Sequence, residues 1–599
     1  MLELAPCAKA QVKVGDDLSM NLNGRIAAGY TADYGNTISS DHGLTLGGDG
    51  DLSGSYYNPN FLSFHILPYY NQSRANSTFQ SISDTSGVTA TAAIFSGSHF
   101  PGSVSYSKSY NGESNYAVPG LSNFTSHGNS GVFSLGWGVN IPDRPTLSFN
   151  FQRGSNDYSI YGANGESNSH FDSLSLLSTY RFAGFDFGGN YHHTVTDELI
   201  PEFTANEPAL KSNASSDSFG FNAGHRLPFN GAFSSGVSRA YSNSEFTGGN
   251  YDATIDTLSA GVSFHPIAVL TFGSNAQYND NLGGILYNSI FSAGGVIPES
   301  QFQQASHALD VNNYVNYQLP SLHLTLMGTV DHREQSIFGS TLTDNAYTGT
   351  VSYANMLLGG FLSAVVGVTE NMLDVRDQRM LGLLSNVNYS RRFRGWTLSG
   401  GFNYGQNQQT LLITYTTSSY GYSGSVGRRL GRTSHWGASA TGTKSVLNSQ
   451  AGSGTFSQSY STALSLKWLG VSGAYAKSSG NAILTGGGLA PTPIPLPVVT
   501  PTSIVLYGGR SYSFGVGASP FHRLTISTSY ARVFNDTMSN ALTSSNRSEM
   551  LTARVQYEFR QMSFQAGYTK LLQGFNLASA PPSMVGSYYV GVYRWFNFF

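Results

Sequence analysis

The sequence predicts an all-β chain, a transmembrane antiparallel up-and-down β-barrel of about 24 to 28 strands. Three observations predict it. Short segments alternate apolar and polar residues over roughly 9 to 14 positions, the length a tilted strand needs to cross a bilayer. Only 11% of the residues are charged, against about 25% in ordinary soluble domains. The connections between the segments also alternate, short turns at one end and longer polar stretches at the other.

Alternation is clearest in Leu551-Thr-Ala-Arg-Val-Gln-Tyr-Glu-Phe559, where every odd position is apolar and Thr552, Arg554, Gln556 and Glu558 are polar. Side chains on a strand point to opposite faces in turn, so this segment has one apolar and one polar face. Leu322 to Val330, Leu270 to Tyr278, Tyr460 to Trp468 and Met562 to Tyr568 repeat the pattern. No apolar run reaches the roughly 18 residues of a spanning helix. The polarity comes from Ser, Asn, Thr and 69 glycines.

Met1 to Ala10 contains Cys7 and a small-residue sequence, Ala8-Lys-Ala10, that resembles a cleavage site without the apolar core of a signal peptide before it. Residues 1–17 are therefore read as a truncated signal remnant and a short periplasmic segment, with the mature chain beginning near Gln11. Residues 18–599 form one barrel. Strand centres run from residue 25 to residue 593 and number about 28, even if both ends lie on the same side.

Short turns are expected at Arg181-Phe-Ala-Gly184, Leu227-Pro-Phe-Asn230, His265-Pro-Ile267, Leu319-Pro-Ser321, Leu358-Gly-Gly360, Arg391 to Gly395, Leu430-Gly-Arg432, Leu469-Gly470, Ser519-Pro520 and Phe559-Arg-Gln561. Longer stretches are 111–130, 196–214, 280–304 and 480–504. Ala490 to Pro501 is proline-rich and reads as a stiff extended loop, because proline has no backbone donor for a sheet ladder.

Candidate chemistry is sparse. One cysteine excludes an internal disulfide, and without Cys-x-x-Cys-His there is no covalent haem attachment; no cofactor or metal is expected. His192 and His193 are adjacent, so on a strand they face opposite ways, as do Asp331 and His332. Gly47-Gly-Asp-Gly-Asp51 faintly resembles a calcium turn, yet a single copy reads better as a glycine-rich strand. No catalytic constellation is visible and the chain reads as non-enzymatic, although spacing alone does not exclude an outer-membrane hydrolase. A net charge of -3 argues against nucleic acid as a partner.

Charge placement is more informative. Arg391, Arg392, Arg394, Arg428, Arg429 and Arg432 lie at the short turns, as do Arg181, Arg226, Arg523 and Arg560. Acidic residues such as Asp197, Glu198, Glu202 and Glu299 favour the long stretches. The turn arginines form a basic rim that either anchors to lipid phosphates or docks an acidic partner.

The chain ends Tyr588-Tyr-Val-Gly-Val-Tyr-Arg-Trp-Phe-Asn-Phe-Phe599, with Tyr589, Tyr593, Trp595 and Phe599 on one face of a strand. This ending resembles the terminal assembly signal of bacterial outer-membrane β-barrel proteins. The resemblance implies residence in the outer membrane of a Gram-negative bacterium, contact with outer-membrane lipid, and recognition by the barrel-assembly machinery. A round barrel of this strand number is roughly 50 to 60 Å across. The few residues before the first strand and the loop lengths leave no plug domain, so the lumen needs flattening, inward loops or a separate protein to close it.

In its many short strands, absent plug, weakly charged inward positions and aromatic last strand, the chain resembles the barrel subunit of porin–cytochrome electron conduits. That resemblance implies a channel or sheath across the outer membrane enclosing a periplasmic partner such as a multihaem cytochrome. The alternatives are a porin-like pore for neutral solutes such as sugars, suited to a Ser, Asn, Thr and Tyr lumen, and a surface adhesin or receptor acting through its long loops.

Overall fold

The structure, a computed structural model, describes residues 12–15, 17–36, 40–73, 86–117, 123–160, 166–200, 210–246, 249–281, 305–337, 340–374, 378–409, 415–447, 454–481, 506–539, 542–575 and 582–597. Each strand pairs antiparallel with the next in sequence, and the last, Ser583–Asn597, pairs with the first barrel strand, Leu18–Gly35. The result is a closed barrel of 28 strands. Every strand centre expected from the sequence falls in a separate strand. Closure removes the open edges that a bilayer does not tolerate.

Two elements share lanes with longer strands. Trp396–Gln406 and the short Gln408–Gln409 both pair with Tyr415–Arg429, interrupted at Asn407, whose φ is 49°. Val12–Val14 pairs with Leu18 to Met20 and continues the lane of the last strand, whose own described pairing ends at Asn23 opposite Asn597.

Register places directly opposed residues on one face. Tyr30 opposes Val590, Val592 opposes Phe564, and Phe564 opposes Tyr557, so one row is apolar from strand to strand. The other row carries Arg554 opposite Gly567, Gln556 opposite Gln565, and Thr552 opposite Thr569. The apolar row is the outer wall, because a bilayer cannot solvate the polar one. Ile26, Leu258, Val366, Phe402, Phe514 and Val590 on it are exposed, as they must be to meet lipid.

Among the described residues the buried apolar side chains are few and mostly small: Ala27, Ala253, Ala308, Ala346, Leu571 and Val585. There is no central core. The accessible surface is 33312 Å², whereas a compact protein of 64.2 kDa would show about 20000 Å². A barrel has two faces, and both are accessible.

Turn chemistry follows the sequence where glycine allows it. Ala183-Gly184, Leu358-Gly359 and Arg394-Gly395 all have positive φ at both positions, the geometry of a two-residue hairpin turn whose twist matches the strands. Other expected turns are displaced. Pro266 and Pro520 sit inside strand ends, where pairing shifts register between Phe264 and Ile267 and between Ala518 and Phe521; a bulge accommodates the missing donor. Leu469-Gly470 begins a strand, the turn being 466–468, and Leu322 belongs to a short 3-10 turn, Pro320–Leu322, before the strand Leu324–Ile337.

The stretches 111–130 and 196–214 are shorter as loops than expected, since strands continue to Ala117 and Ile200 and resume at Asn123 and Leu210. At three places on that rim successive strands are only two residues apart in sequence: Gly231–Phe246 and Gly249–Ile267, Leu324–Ile337 and Ser340–Leu357, and Leu524–Ser539 and Leu542–Phe559. The two-sided rule therefore holds through a subset of long loops. Most of 280–304 and 480–504, including Ala490 to Pro501, lies outside the described residues, as do Met1 to Gln11 with Cys7. No described helix is long and apolar enough to cross a membrane.

Candidate functional site: the lumen wall and its rims

The inner wall is chemically uneven. Across seven neighbouring strands from Trp396–Gln406 to Leu524–Ser539, the inward positions are small and uncharged along most of their length. Ser399 faces Ser425 at 2.7 Å, Ser439 faces Ser461 at 2.7 Å, Thr441 faces Ser459 at 2.8 Å, and Thr443 faces Ser457 at 2.7 Å. These cross-strand hydroxyl pairs satisfy one another, so the wall is polar yet binds water weakly and projects little into the lumen.

The remaining wall carries its charges in pairs. Arg25 bonds Asp49, and His65 Nε2 lies 2.8 Å from Asp51. Arg333 Nε lies 2.7 Å from Asp310, and Asn312 bonds the neighbouring Asp331. Arg554 donates to Gln565 Oε1 at 2.6 Å. In each of these pairs the cationic group is held by a neighbour on the next strand, so these positions offer little uncompensated charge to a passing ion.

No acid–base or nucleophilic constellation forms at the sequence candidates. His193 lies on the outer face, its Nδ1 2.7 Å from Asp217, to which Tyr191 also donates; His192 is on the inner face by alternation. Asp331 and His332 separate likewise, His332 meeting Asn345 at 2.8 Å across the outer wall. Gly47 to Asp51 lies within the strand Asp41–Tyr56 and is no calcium turn. Among the described residues no group of three or more His, Cys, Asp or Glu converges as a metal site.

The turn rim divides its arginines between the two faces. Arg391 and Arg394 lie 5.0 Å from the Phe393 ring, and Arg428 lies 4.8 Å from Trp396. Arg560 and Arg523 cover Phe559 at 5.6 and 6.0 Å, and Arg594 covers Phe596 at 5.0 Å. Register puts Arg391, Arg428 and Arg594 on the outer wall. Guanidinium over aromatic at the edge of an apolar belt is the arrangement of an interfacial anchor. Arg392, opposite Thr397, and Arg429, opposite His435, are on the lumen side. Arg429 donates to the carbonyls of Gly431 and Arg432, bracing the turn that carries Arg432.

Tyr589, Tyr593 and Trp595 share a face, and that face is the inner one. Trp595 opposes Arg25, Tyr593 opposes Ala27, and Tyr589 opposes Thr31. The Arg25 guanidinium lies 5.0 Å from the Tyr593 ring and 5.3 Å from Trp595. The lipid row of this strand is instead Tyr588, Val590, Val592 and Phe596. Phe599 lies outside the described residues.

An antiparallel closed barrel with an apolar outer wall and a strand number this high is an integral outer-membrane protein of the Gram-negative kind. No protein-family model matches the chain. No curated protein matches it either. Among solved structures it is similar to the siderophore receptor PirA from Pseudomonas aeruginosa, at 9% identity over 96% of this chain and 80% of that one, TM-score 0.34. The FrpB iron transporter from Neisseria meningitidis gives 10% identity over 96% and 81% of the two chains, TM-score 0.34. The copper transporter OprC gives 10% identity over 70% and 74%, TM-score 0.41. Likeness this distant carries no information on cargo, and the barrel assignment stands on the strand pairing.

Proposed function

We propose that the chain is a non-enzymatic sheath across the outer membrane, its lumen holding a folded partner supplied from the periplasm. The observation that carries this reading is the arc of small, mutually bonded hydroxyl side chains from Ser399 to Ser461. Such a wall lets another protein approach closely and offers a diffusing ion no charged station. A pore of roughly 50 to 60 Å needs an occupant if the membrane is to remain a barrier. The inward Arg392 and Arg429 at the turn rim suit an acidic collar on that occupant. A multihaem cytochrome is one such partner, and a sugar-conducting pore narrowed by loops is the competing reading.

Thiol labelling separates the two. With Cys7 replaced by serine, Thr441→Cys and Ser459→Cys place single thiols on the arc. Under the sheath reading, a bulky maleimide labels both in the purified, emptied barrel but not in intact outer membranes. Equal labelling in both preparations would favour the open pore. Planar-bilayer conductance of the emptied barrel should be large and weakly selective.

A further inference from the structure

The outer wall holds a second basic feature, remote from the turn rim. Lys477, Arg510, Arg532, Arg547 and Lys570 occupy five consecutive strands of one arc, and Lys444 lies two strands before Lys477, all on the apolar, lipid-facing row. Register fixes this: Lys477 opposes Arg510, Arg510 opposes Phe534, Phe534 opposes Arg547, and Lys570 opposes Leu551. From Leu524 at the turn to Arg532 the strand climbs about 20 Å, close to the height of the apolar belt of an outer-membrane barrel. The arc therefore lies at the loop-side edge of the hydrocarbon layer, where outer-leaflet headgroups begin.

Its centre is crowded with positive charge. Arg532, Arg510 and Arg547 lie 4.3, 4.7 and 5.8 Å from the single ring of Phe534. One carboxylate serves them: Glu549 is 2.7 Å from Arg547 and 3.6 Å from Arg532. Nε of both Arg532 and Arg547 is shielded from solvent without a hydrogen-bond acceptor. Asp536, opposite Gly508, is a second acidic position in this row. Elsewhere on the outer wall several cations are each matched by one acid, as in Arg153–Asp172 at 3.4 Å, Arg239–Asp256 at 2.6 Å and Arg379–Glu370 at 3.9 Å. On this arc three guanidiniums surround one ring and share Glu549, and like charges in proximity are costly unless an anion joins them.

Below the cations a shallow depression is lined by Arg510, Tyr512, Phe514, Tyr530, Arg532 and Phe534. Aromatic surface there continues into the apolar belt. A ligand suited to this site has phosphate at the level of the guanidiniums and hydrocarbon below.

We propose that this arc binds a phosphorylated glycolipid of the outer leaflet, its phosphates held by Arg510, Arg532 and Arg547 and its acyl chains lying along Phe514 and Tyr530. Guanidinium forks match phosphate oxygens in geometry and charge. The site is independent of whatever occupies the lumen.

The test uses the full-length barrel in phosphatidylcholine nanodiscs titrated with lipid A, with thermal unfolding and native mass spectrometry as readouts. Wild-type protein should gain stability and carry bound lipid A, whereas Arg510→Gln/Arg532→Gln/Arg547→Gln should weaken binding about tenfold or more. Arg153→Gln, on a distant part of the outer wall and paired with Asp172, should bind as wild type. Inorganic phosphate should compete weakly, and dephosphorylated lipid A should lose most of the effect. Equal binding of dephosphorylated lipid, or wild-type affinity in the triple variant, would overturn the proposal. If the triple variant does not assemble, Arg510→Gln alone, which spares the Glu549 ion pairs, should still reduce affinity, and unchanged binding there would also count against the site.

Discussion

At the residue scale, glycine and aromatic side chains depend on one another in this wall. A methyl group at Gly442 would collide with the ring of Tyr422 on the neighbouring strand, and one at Gly273 would collide with Tyr314. At these two positions the ring occupies the space a side chain would need, which accounts for glycine in strands where it is otherwise unfavourable. Tyr422 is also tied to Tyr460, hydroxyl to hydroxyl at 2.9 Å. Gly442→Val should displace Tyr422 and destabilise the barrel by about 1–3 kcal/mol, the usual penalty of overpacking. The check is the temperature at which the folded, fast-migrating form disappears on gel electrophoresis; an unchanged midpoint would show that the ring relocates at no cost.

Among the elements, the seam between Leu18–Gly35 and Ser583–Asn597 decides whether the sheet is closed. Ala27 and Tyr593 are direct partners across it, so their Cα separation falls within the disulfide range. With Cys7 replaced by serine, Ala27→Cys/Tyr593→Cys should oxidise spontaneously, and the heated, unreduced protein should migrate faster than its reduced form. Failure to cross-link in assembled protein would place the seam in another register. The outer side of the same seam is fastened by Tyr34, whose hydroxyl meets that of Tyr568 at 2.8 Å and whose ring stacks on Tyr588 at 5.6 Å.

The strands were legible because period-two alternation is a local signal, repeated too often to be mistaken for helix. Which face of the last strand meets lipid was not, since Tyr588, Val590 and Val592 compete with Tyr589, Tyr593 and Trp595 on nearly equal terms. Only pairing with Arg25 resolves it. The basic arc was equally hidden: Lys444, Lys477, Arg510, Arg532, Arg547 and Lys570 are solitary cations on separate strands, and lane order alone brings them together. Pro266 and Pro520 misled the turn positions because a bulge lets a strand end carry proline.

For the whole molecule, stability comes from a continuous hydrogen-bonded ladder rather than from a core, so loss of the last strand opens the entire structure. Trp595→Ser/Phe599→Ser should lower the amount of assembled barrel in the membrane, with translation unchanged. Val590→Ser/Val592→Ser alters the lipid row of the same strand, and comparing the two variants shows which face the assembly step reads. Wild-type levels of heat-modifiable protein in the first variant would remove the inner aromatic row from that role.

Val12–Val14 occupies the lowest part of the lane that Ser583–Asn597 fills from above. It thereby acts as a doorstop. A closing strand that slid toward Leu18 would run into backbone already hydrogen-bonded there, and even a one-residue slip would exchange Trp595 and Tyr593 for Arg594 and Phe596 on the lumen side. Val12–Val14 thus sets where the strand Ser583–Asn597 must halt, and with it which of its aromatic residues face lipid and which face the passage.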